Sequence, residues 1–144
     1  MLVAALAFGA GFSILSVRTA GIPLSSPERL VAELRLAQIA ALLLTLTAGA
    51  YLGLAAANET RTGVGFDIAF ASGFVVLAAY TLTCDPRQAL TLLALAFGAH
   101  AILDIAHRPG VLPDGIAPQW YVVGGASYDV IIGALCYLPI LRRP

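Results

Sequence analysis

Of the 144 residues, 60% are hydrophobic and only 11% are charged, whereas soluble domains average about 25% charged residues. The formal net charge is zero, which excludes the basic surface that binds nucleic acid. The composition therefore predicts an all-α, polytopic integral membrane protein in contact with membrane lipids. Two cysteines are too few for a disulfide scaffold.

The first two predicted membrane helices cover residues 2–17 and 27–57, since a spanning helix needs about 20 mostly apolar residues. No positive charge precedes the first apolar stretch, so we expect a membrane helix there rather than a cleaved signal peptide. The second helix begins at Pro27 with Ser26 as its cap. Its first turns are expected to project into the headgroup region, because they carry Glu28, Arg29, Glu33 and Arg35.

Three further helices are predicted over residues 63–83, 86–107 and 118–141. The third is stopped by Cys84-Asp85-Pro86 and the fourth by Arg108-Pro109-Gly110. Pro139 is expected to bend the last turn of the fifth helix. The sequence has no interdomain linker or internal repeat, so residues 1–144 are predicted to form a single transmembrane helical domain.

The distribution of arginines predicts the topology. With five spans, one side of the membrane receives Arg18, Arg29, Arg35, Arg87, Arg142 and Arg143, and the other receives Arg61 and Arg108. Because arginine-rich loops stay in the cytoplasm, we expect the N-terminus outside and the C-terminus in the cytoplasm. The basic residues are all arginines, which fits a bacterial source, and the expected location is the bacterial inner (plasma) membrane.

The chain has two histidines, and both lie in the motif His100-x3-Asp104-x2-His107 at the end of the fourth predicted helix. On an α-helix the three side chains fall within a stripe about 60° wide. Ionisable groups in a membrane-embedded helix are costly and usually mark a functional site. The motif therefore predicts a site in the outer half of the helix bundle.

The fifth predicted helix contributes a second carboxylate to this level of the membrane. Asp129 lies about 16 Å along its axis, near the level of His100 if the two helices are antiparallel. Gly125 and Gly133 flank Asp129 at i−4 and i+4, and such small residues let membrane helices approach closely. Polar side chains towards the same end of the bundle are candidate substrate-binding residues, namely Tyr51, Asn58, Asp67 and Tyr128.

One interpretation of these groups is a metal site. Imidazoles combined with one or two carboxylates bind catalytic zinc and non-haem iron, so the candidate ligands of Zn or Fe are His100, Asp104, His107 and Asp129. The two histidines are about 10.5 Å apart along the helix axis. A metal site formed by one histidine and both aspartates therefore needs less distortion of the side chains than a site that uses both histidines. Haem is excluded because both histidines share one helix face and no C-x-x-C-H motif is present. No nucleotide cofactor is expected.

A second interpretation is metal-free acid–base catalysis by Asp104, Asp129 and His100. A histidine beside a carboxylate is held in one tautomer and can act as a base, while a buried aspartate can remain protonated and act as an acid. A third interpretation is purely structural, with the same groups holding the helices together through hydrogen bonds and ion pairs.

The last third of the chain resembles a family of small bacterial integral membrane proteins. The resemblance rests on the histidine motif, on the turn Pro109-Gly110-Val111-Leu112-Pro113 and on the helix segment Ser127-Tyr128-Asp129-Val130-Ile131-Ile132, with weaker similarity around residues 48–54. The sequence departs from the family pattern at Arg108, where a second consecutive histidine is frequent, and at Leu103, where tryptophan is common. The first departure disfavours a three-histidine metal site. The resemblance implies the position of the site and nothing about its reaction.

These observations favour an intramembrane enzyme that acts on a lipophilic small molecule, either metal-assisted or by acid–base chemistry, as an isomerase, cyclase or hydrolase. The alternatives are a non-catalytic small subunit of a larger membrane complex and an ion- or proton-handling protein. The sequence leaves open whether the chain acts alone, as a homo-oligomer or within such a complex.

Overall fold

The computed structural model describes residues 2–57, 63–107 and 117–141. Within these ranges the chain forms five α-helices and no strand. The helices are α1 (Leu2–Gly21), α2 (Pro27–Ala57), α3 (Val64–Thr81), α4 (Pro86–Ala106) and α5 (Gln119–Leu141). Each is long and apolar enough to cross a membrane, which confirms the predicted all-α, multi-pass membrane protein.

The helix boundaries differ most from the prediction at the end of α1. This helix continues past residue 17 to Gly21, because Thr19 and Ala20 are buried against the rest of the bundle. Arg18 lies exposed within the last turn and does not end the helix. The loop between α1 and α2 is therefore shorter than expected.

The start of α4 is determined locally by the sequence. Asp85 has an extended backbone, and its side chain accepts hydrogen bonds from the backbone N–H groups of Arg87 and Gln88. Pro86 occupies the first helical position, where its missing N–H leaves no hydrogen bond unmade. This cap fixes where α4 begins.

The centre of the bundle is formed by α2, α4 and α5. The α3 helix packs against α2 and α4, and α1 packs against α5 and α2. The interior is filled by fully buried aliphatic side chains such as Leu44, Leu93 and Ile132. Large apolar side chains also cover the outer surface, among them Leu42, Val76 and Ile102, as is expected of helices surrounded by lipid.

The α4 and α5 helices approach closely at Gly133. A Cβ atom at this position would lie 3.1 Å from the backbone oxygen of Ala94 and 3.4 Å from Cβ of Phe97. A larger residue here would require α4 and α5 to shift by a few tenths of an ångström, so the glycine favours this helix spacing, in keeping with the role of small residues in membrane helix packing. The close contact holds α5, and with it Asp129, against α4.

The end of the bundle opposite the histidine motif contains a buried ion pair that was absent from the sequence analysis. Arg29 and Glu33, which were expected at the level of the headgroups, are both only 2% exposed within the protein. The Arg29 guanidinium donates to Glu33 (2.6 Å) and to the carbonyl oxygens of Thr19, Ile22 and Pro139 (2.6–2.7 Å). One side chain of α2 thereby connects the ends of α1 and α5.

A second contact between α1 and α5 follows from Pro139. A proline inside a helix has no N–H to donate to the carbonyl four residues earlier, which here belongs to Leu135. The hydroxyl of Ser16 donates to this oxygen at 2.6 Å. The proline thus creates an acceptor in the middle of a helix, and the neighbouring helix supplies the donor.

Candidate functional site

Three of the predicted site residues meet inside the bundle, where α5 packs against α4. His100 and Asp104 are one turn apart on α4, and Asp129 comes from α5. All three are buried, with 4%, 3% and 0% of their surface exposed. We call His100, Asp104 and Asp129 the inner triad.

The imidazole of His100 lies between the two carboxylates of the triad. Its Nδ1 is 2.7 Å from Oδ2 of Asp129 and 3.8 Å from Oδ2 of Asp104. The shorter distance is a hydrogen bond, and with a neutral imidazole and an ionised carboxyl group Nδ1–H is its donor. In this tautomer Nε2 keeps a lone pair, for which the described residues provide no hydrogen-bond partner.

Tyr51 of α2 holds the second carboxylate of the triad. Its hydroxyl donates to Oδ1 of Asp104 at 2.5 Å, and its ring contacts His100 edge-to-face with the centroids 5.5 Å apart. The ring of Phe74 on α3 also packs edge-to-face on His100, with the ring centroids 4.9 Å apart. Tyr51, proposed from the sequence as a substrate-binding residue, therefore has its hydroxyl engaged by Asp104.

His107 does not join the triad and instead pairs with α3. Its Nε2 lies 2.8 Å from Oδ1 of Asp67, and its Nδ1 lies 2.8 Å from the carbonyl oxygen of Leu103. We call His107 and Asp67 the outer pair. Both ring nitrogens face acceptors, but a neutral imidazole can donate from only one nitrogen. The outer pair thus connects α4 to α3 and is separate from the inner triad.

A small cavity is lined both by His100 of the inner triad and by the outer pair. It is lined by Tyr51, Asp67, Phe70, Ala71, Phe74, His100, Leu103 and His107. Its volume of about 20 Å³ has room for one water molecule. Phe70 is 38% exposed, so this edge of the cavity lies at the outer surface of the bundle. The cavity thus combines ionisable groups with an apolar edge.

Two carboxylate oxygens of the triad, Oδ2 of Asp104 and Oδ1 of Asp129, are buried without a hydrogen-bond partner among the described residues. Gly125 of α5 lies beside the first of them, since a Cβ atom there would come within 2.9 Å of Oδ2 of Asp104. Buried polar atoms are almost always paired in folded proteins. The two unpaired oxygens are therefore the feature of the site that most needs a chemical explanation.

Two residues proposed from the sequence as substrate-binding are not brought to this cavity. Tyr128 is half-buried on α5, and its ring lies near α1, where a Cβ on Gly9 would be 3.3 Å from Cε2 of the tyrosine. Asn58 lies outside the described residues. Asp67 does line the cavity.

The pairing of Asp67 with His107 and the packing of Phe74 on His100 were absent from the sequence analysis. Both depend on the rotation of α3, and the apolar sequence of that helix gives no signal for it. The spacing of seven residues between the two histidines was a usable signal, since it placed them two turns apart and thus within reach of different partners.

No family model, no curated protein and no solved structure matches this chain. The resemblance to a bacterial membrane protein family therefore gains no support from these comparisons. Any functional conclusion rests on the geometry of the described residues.

Proposed function

We propose that this protein is an intramembrane enzyme that acts on a lipophilic small molecule, with His100 as its general base. The observation that carries this proposal is the hydrogen bond from Nδ1 of His100 to Asp129, at 2.7 Å, combined with the position of the same ring at the cavity. A carboxylate that holds one ring nitrogen and leaves the other free is the arrangement by which a histidine accepts a proton in catalysis.

The triad residues have separate roles in this mechanism. Nε2 of His100 takes a proton from the substrate or from a water molecule in the cavity, and Asp129 stabilises the resulting imidazolium. The Asp104 carboxylate, 3.8 Å from Nδ1, adds to this stabilisation and is oriented by Tyr51. The imidazolium then returns the proton to another atom of the product. This cycle suits an isomerase or cyclase and, with water as reactant, a hydrolase.

The surroundings of the cavity support a substrate that arrives from the lipid. A volume of about 20 Å³ accepts a water molecule or one reacting group but not a whole organic molecule. The exposed ring of Phe70 provides an apolar surface at the cavity edge. In this proposal the reacting group enters the cavity while the remainder of the substrate stays in the membrane.

The proposed location is the bacterial plasma membrane, with the N-terminus outside and the site in the outer half. The arginine distribution supports it, although Arg29 is paired in the interior and should not be counted. Arg18, Arg35 and Arg87 are exposed on the proposed cytoplasmic side. The other arginines, Arg61, Arg108, Arg142 and Arg143, lie outside the described residues.

The enzymatic proposal can be tested before the substrate is identified. The purified protein is placed in lipid nanodiscs that contain a total bacterial lipid extract, and lipids are compared by mass spectrometry before and after incubation. We expect one lipid class to change in mass or isomeric form with the wild type and not with His100→Gln or Asp129→Asn. Thr91→Ala, at the other end of α4, serves as the active control. An unchanged extract with the wild type, or equal conversion by His100→Gln, would refute the proposal.

The cavity volume favours one second candidate, a protein that handles protons or small ions. His100 and the outer pair line the same space of about 20 Å³, in which a water molecule could pass a proton between them. Proteoliposomes with an internal pH dye test this function. It predicts faster collapse of a pH gradient with the wild type than with His100→Gln. If neither lipid conversion nor proton flux is found, the role of a non-catalytic subunit is favoured.

A further inference from the structure

We propose that the inner triad binds one divalent transition-metal cation of the Zn²⁺ class. Its protein ligands are Nδ1 of His100 and one carboxylate oxygen from each of Asp104 and Asp129. This inference goes beyond the proposed function, because acid–base catalysis by His100 needs no metal. The cation would bind at Nδ1 of His100, which faces Asp129, whereas the proposed catalysis uses Nε2.

The unpaired oxygens are the first observation that supports a cation. Oδ2 of Asp104 and Oδ1 of Asp129 have no hydrogen-bond donor within the described part of the chain, and their residues are 3% and 0% exposed. One ligand atom from each triad residue can be chosen such that all three lie within 4.8 Å of one another. A buried carboxylate oxygen without a donor is unfavourable, and a cation bound between the two carboxylates would reduce this cost.

The charge balance of the triad is the second observation. Both carboxylates are buried in a helix bundle, and within the described ranges no arginine forms a salt bridge with either of them. Arg29 and Arg87 are paired with Glu33 at the other end of α4. A divalent cation bound by a neutral imidazole and two carboxylates gives a site of zero net charge, which is the favourable state inside a membrane.

The distances require only a small rearrangement. Ligand atoms around a tetrahedral zinc ion, bound at about 2.0–2.2 Å, lie about 3.3–3.6 Å apart. Nδ1 of His100 is 3.8 Å from Asp104 and 2.7 Å from Asp129. The cation would replace the proton between His100 and Asp129 and move these two groups apart by less than about 1 Å. Tyr51 would keep its hydrogen bond to the other oxygen of Asp104 and orient this ligand.

The ligand set selects the type of cation. Mg²⁺ and Ca²⁺ prefer oxygen ligands only, whereas imidazole combined with carboxylate suits zinc, iron and similar ions. Binding would also move the single N–H proton of the neutral imidazole from Nδ1 to Nε2. If the proposed enzymatic function holds, the ring then presents a donor rather than an acceptor to the cavity, so the loaded and empty forms would differ in their catalysis.

Gly125 provides a way to block the site without changing its charge. The Cβ atom of an alanine at this position would lie 2.9 Å from Oδ2 of Asp104, which is closer than carbon and oxygen normally approach. Gly125→Ala therefore forces this ligand oxygen to move while all three ligand residues remain.

The test is Zn²⁺ binding to the full-length protein, purified in detergent, stripped with a chelator and equilibrated by dialysis before elemental analysis. We expect one Zn²⁺ per chain for the wild type, retained in excess Mg²⁺. In Asp104→Asn and Asp129→Asn binding should be at least about 100-fold weaker, since even changes to residues behind a ligand cost about 10–100-fold. Asp67→Asn, which removes a buried carboxylate outside the triad, is the matched control and should bind as the wild type does.

Gly125→Ala keeps the test informative if the asparagine variants do not fold, and it should weaken Zn²⁺ binding in a protein with wild-type helicity. The inference is overturned if the wild type binds no stoichiometric Zn²⁺, if Asp67→Asn weakens binding as much as Asp104→Asn, or if Mg²⁺ displaces Zn²⁺. Lipid conversion that persists after complete removal of metal, without Zn²⁺ binding, would refute the metal site and leave the enzyme. Zn²⁺ binding to a protein that converts no lipid in its metal-free form would refute the enzyme and leave the metal site.

Discussion

Arg29→Met tests how strongly the ends of α1, α2 and α5 are held together. The substitution removes the buried ion pair with Glu33 and the three hydrogen bonds to the carbonyl oxygens of Thr19, Ile22 and Pro139. Interhelical hydrogen bonds in membranes contribute about 0.6 kcal/mol on average, but leaving one charge of a buried pair without its partner costs about 3–5 kcal/mol. Glu33 keeps a contact with Arg87, so we expect a loss of about 3 kcal/mol in the free energy of unfolding.

The assay is unfolding of the purified protein in mixed micelles by increasing sodium dodecyl sulfate, followed by circular dichroism. Arg18→Met is the matched control, because Arg18 is exposed on α1, and its effect should stay within about 0.5 kcal/mol. In the double variant Arg29→Met/Glu33→Gln the buried charge is also gone, so the combined loss should be smaller than the sum of the two single losses. Equal unfolding curves for Arg29→Met and Arg18→Met would show that the network is not formed.

Two further substitutions test single hydrogen bonds in the same unfolding assay. Ser16→Ala removes the donor to the Leu135 carbonyl and should cost about 1 kcal/mol. The cost should fall towards zero in a Pro139→Ala background, where an alanine N–H can take over this acceptor; an unchanged cost would contradict the explanation. Tyr51→Phe leaves Oδ1 of Asp104 without its donor and should cost about 1–3 kcal/mol. A fully stable Tyr51→Phe variant would show that Asp104 has another partner.

The number of helices and most of their boundaries could be predicted from the sequence because they follow from local properties, whereas the end of α1 depends on packing. Apolar length determines which segments can span a membrane. The Asp85-Pro86 pair determines where α4 begins, since its cap uses only neighbouring backbone groups. The stripe formed by His100 and Asp104 follows from helix geometry alone. None of these features depends on a residue that is distant in the chain.

The features that could not be predicted depend on how the helices rotate against one another. The sequence around Arg29 indicates a headgroup residue, because the carbonyl oxygens that accept its hydrogen bonds belong to other helices, α1 and α5. Asp67 could have faced lipid, solvent or any neighbouring helix, and its pairing with His107 depends on the packing of α3 against α4. Uniformly apolar helices carry little information on rotation, so these contacts required the structure.

The proposed site depends above all on the hydrogen bond that holds His100 against Asp129 inside the bundle. Because the chain has two histidines, nitrogen-15 magnetic resonance of histidine-labelled protein in lipid bilayers measures it most directly. For the metal-free protein we predict that one histidine carries its proton on Nδ1 in a strong hydrogen bond. Asp129→Asn should shift this signal alone, and Asp67→Asn should shift only the other histidine. Two histidines that behave as if free in water, and that respond to neither substitution, would contradict the account.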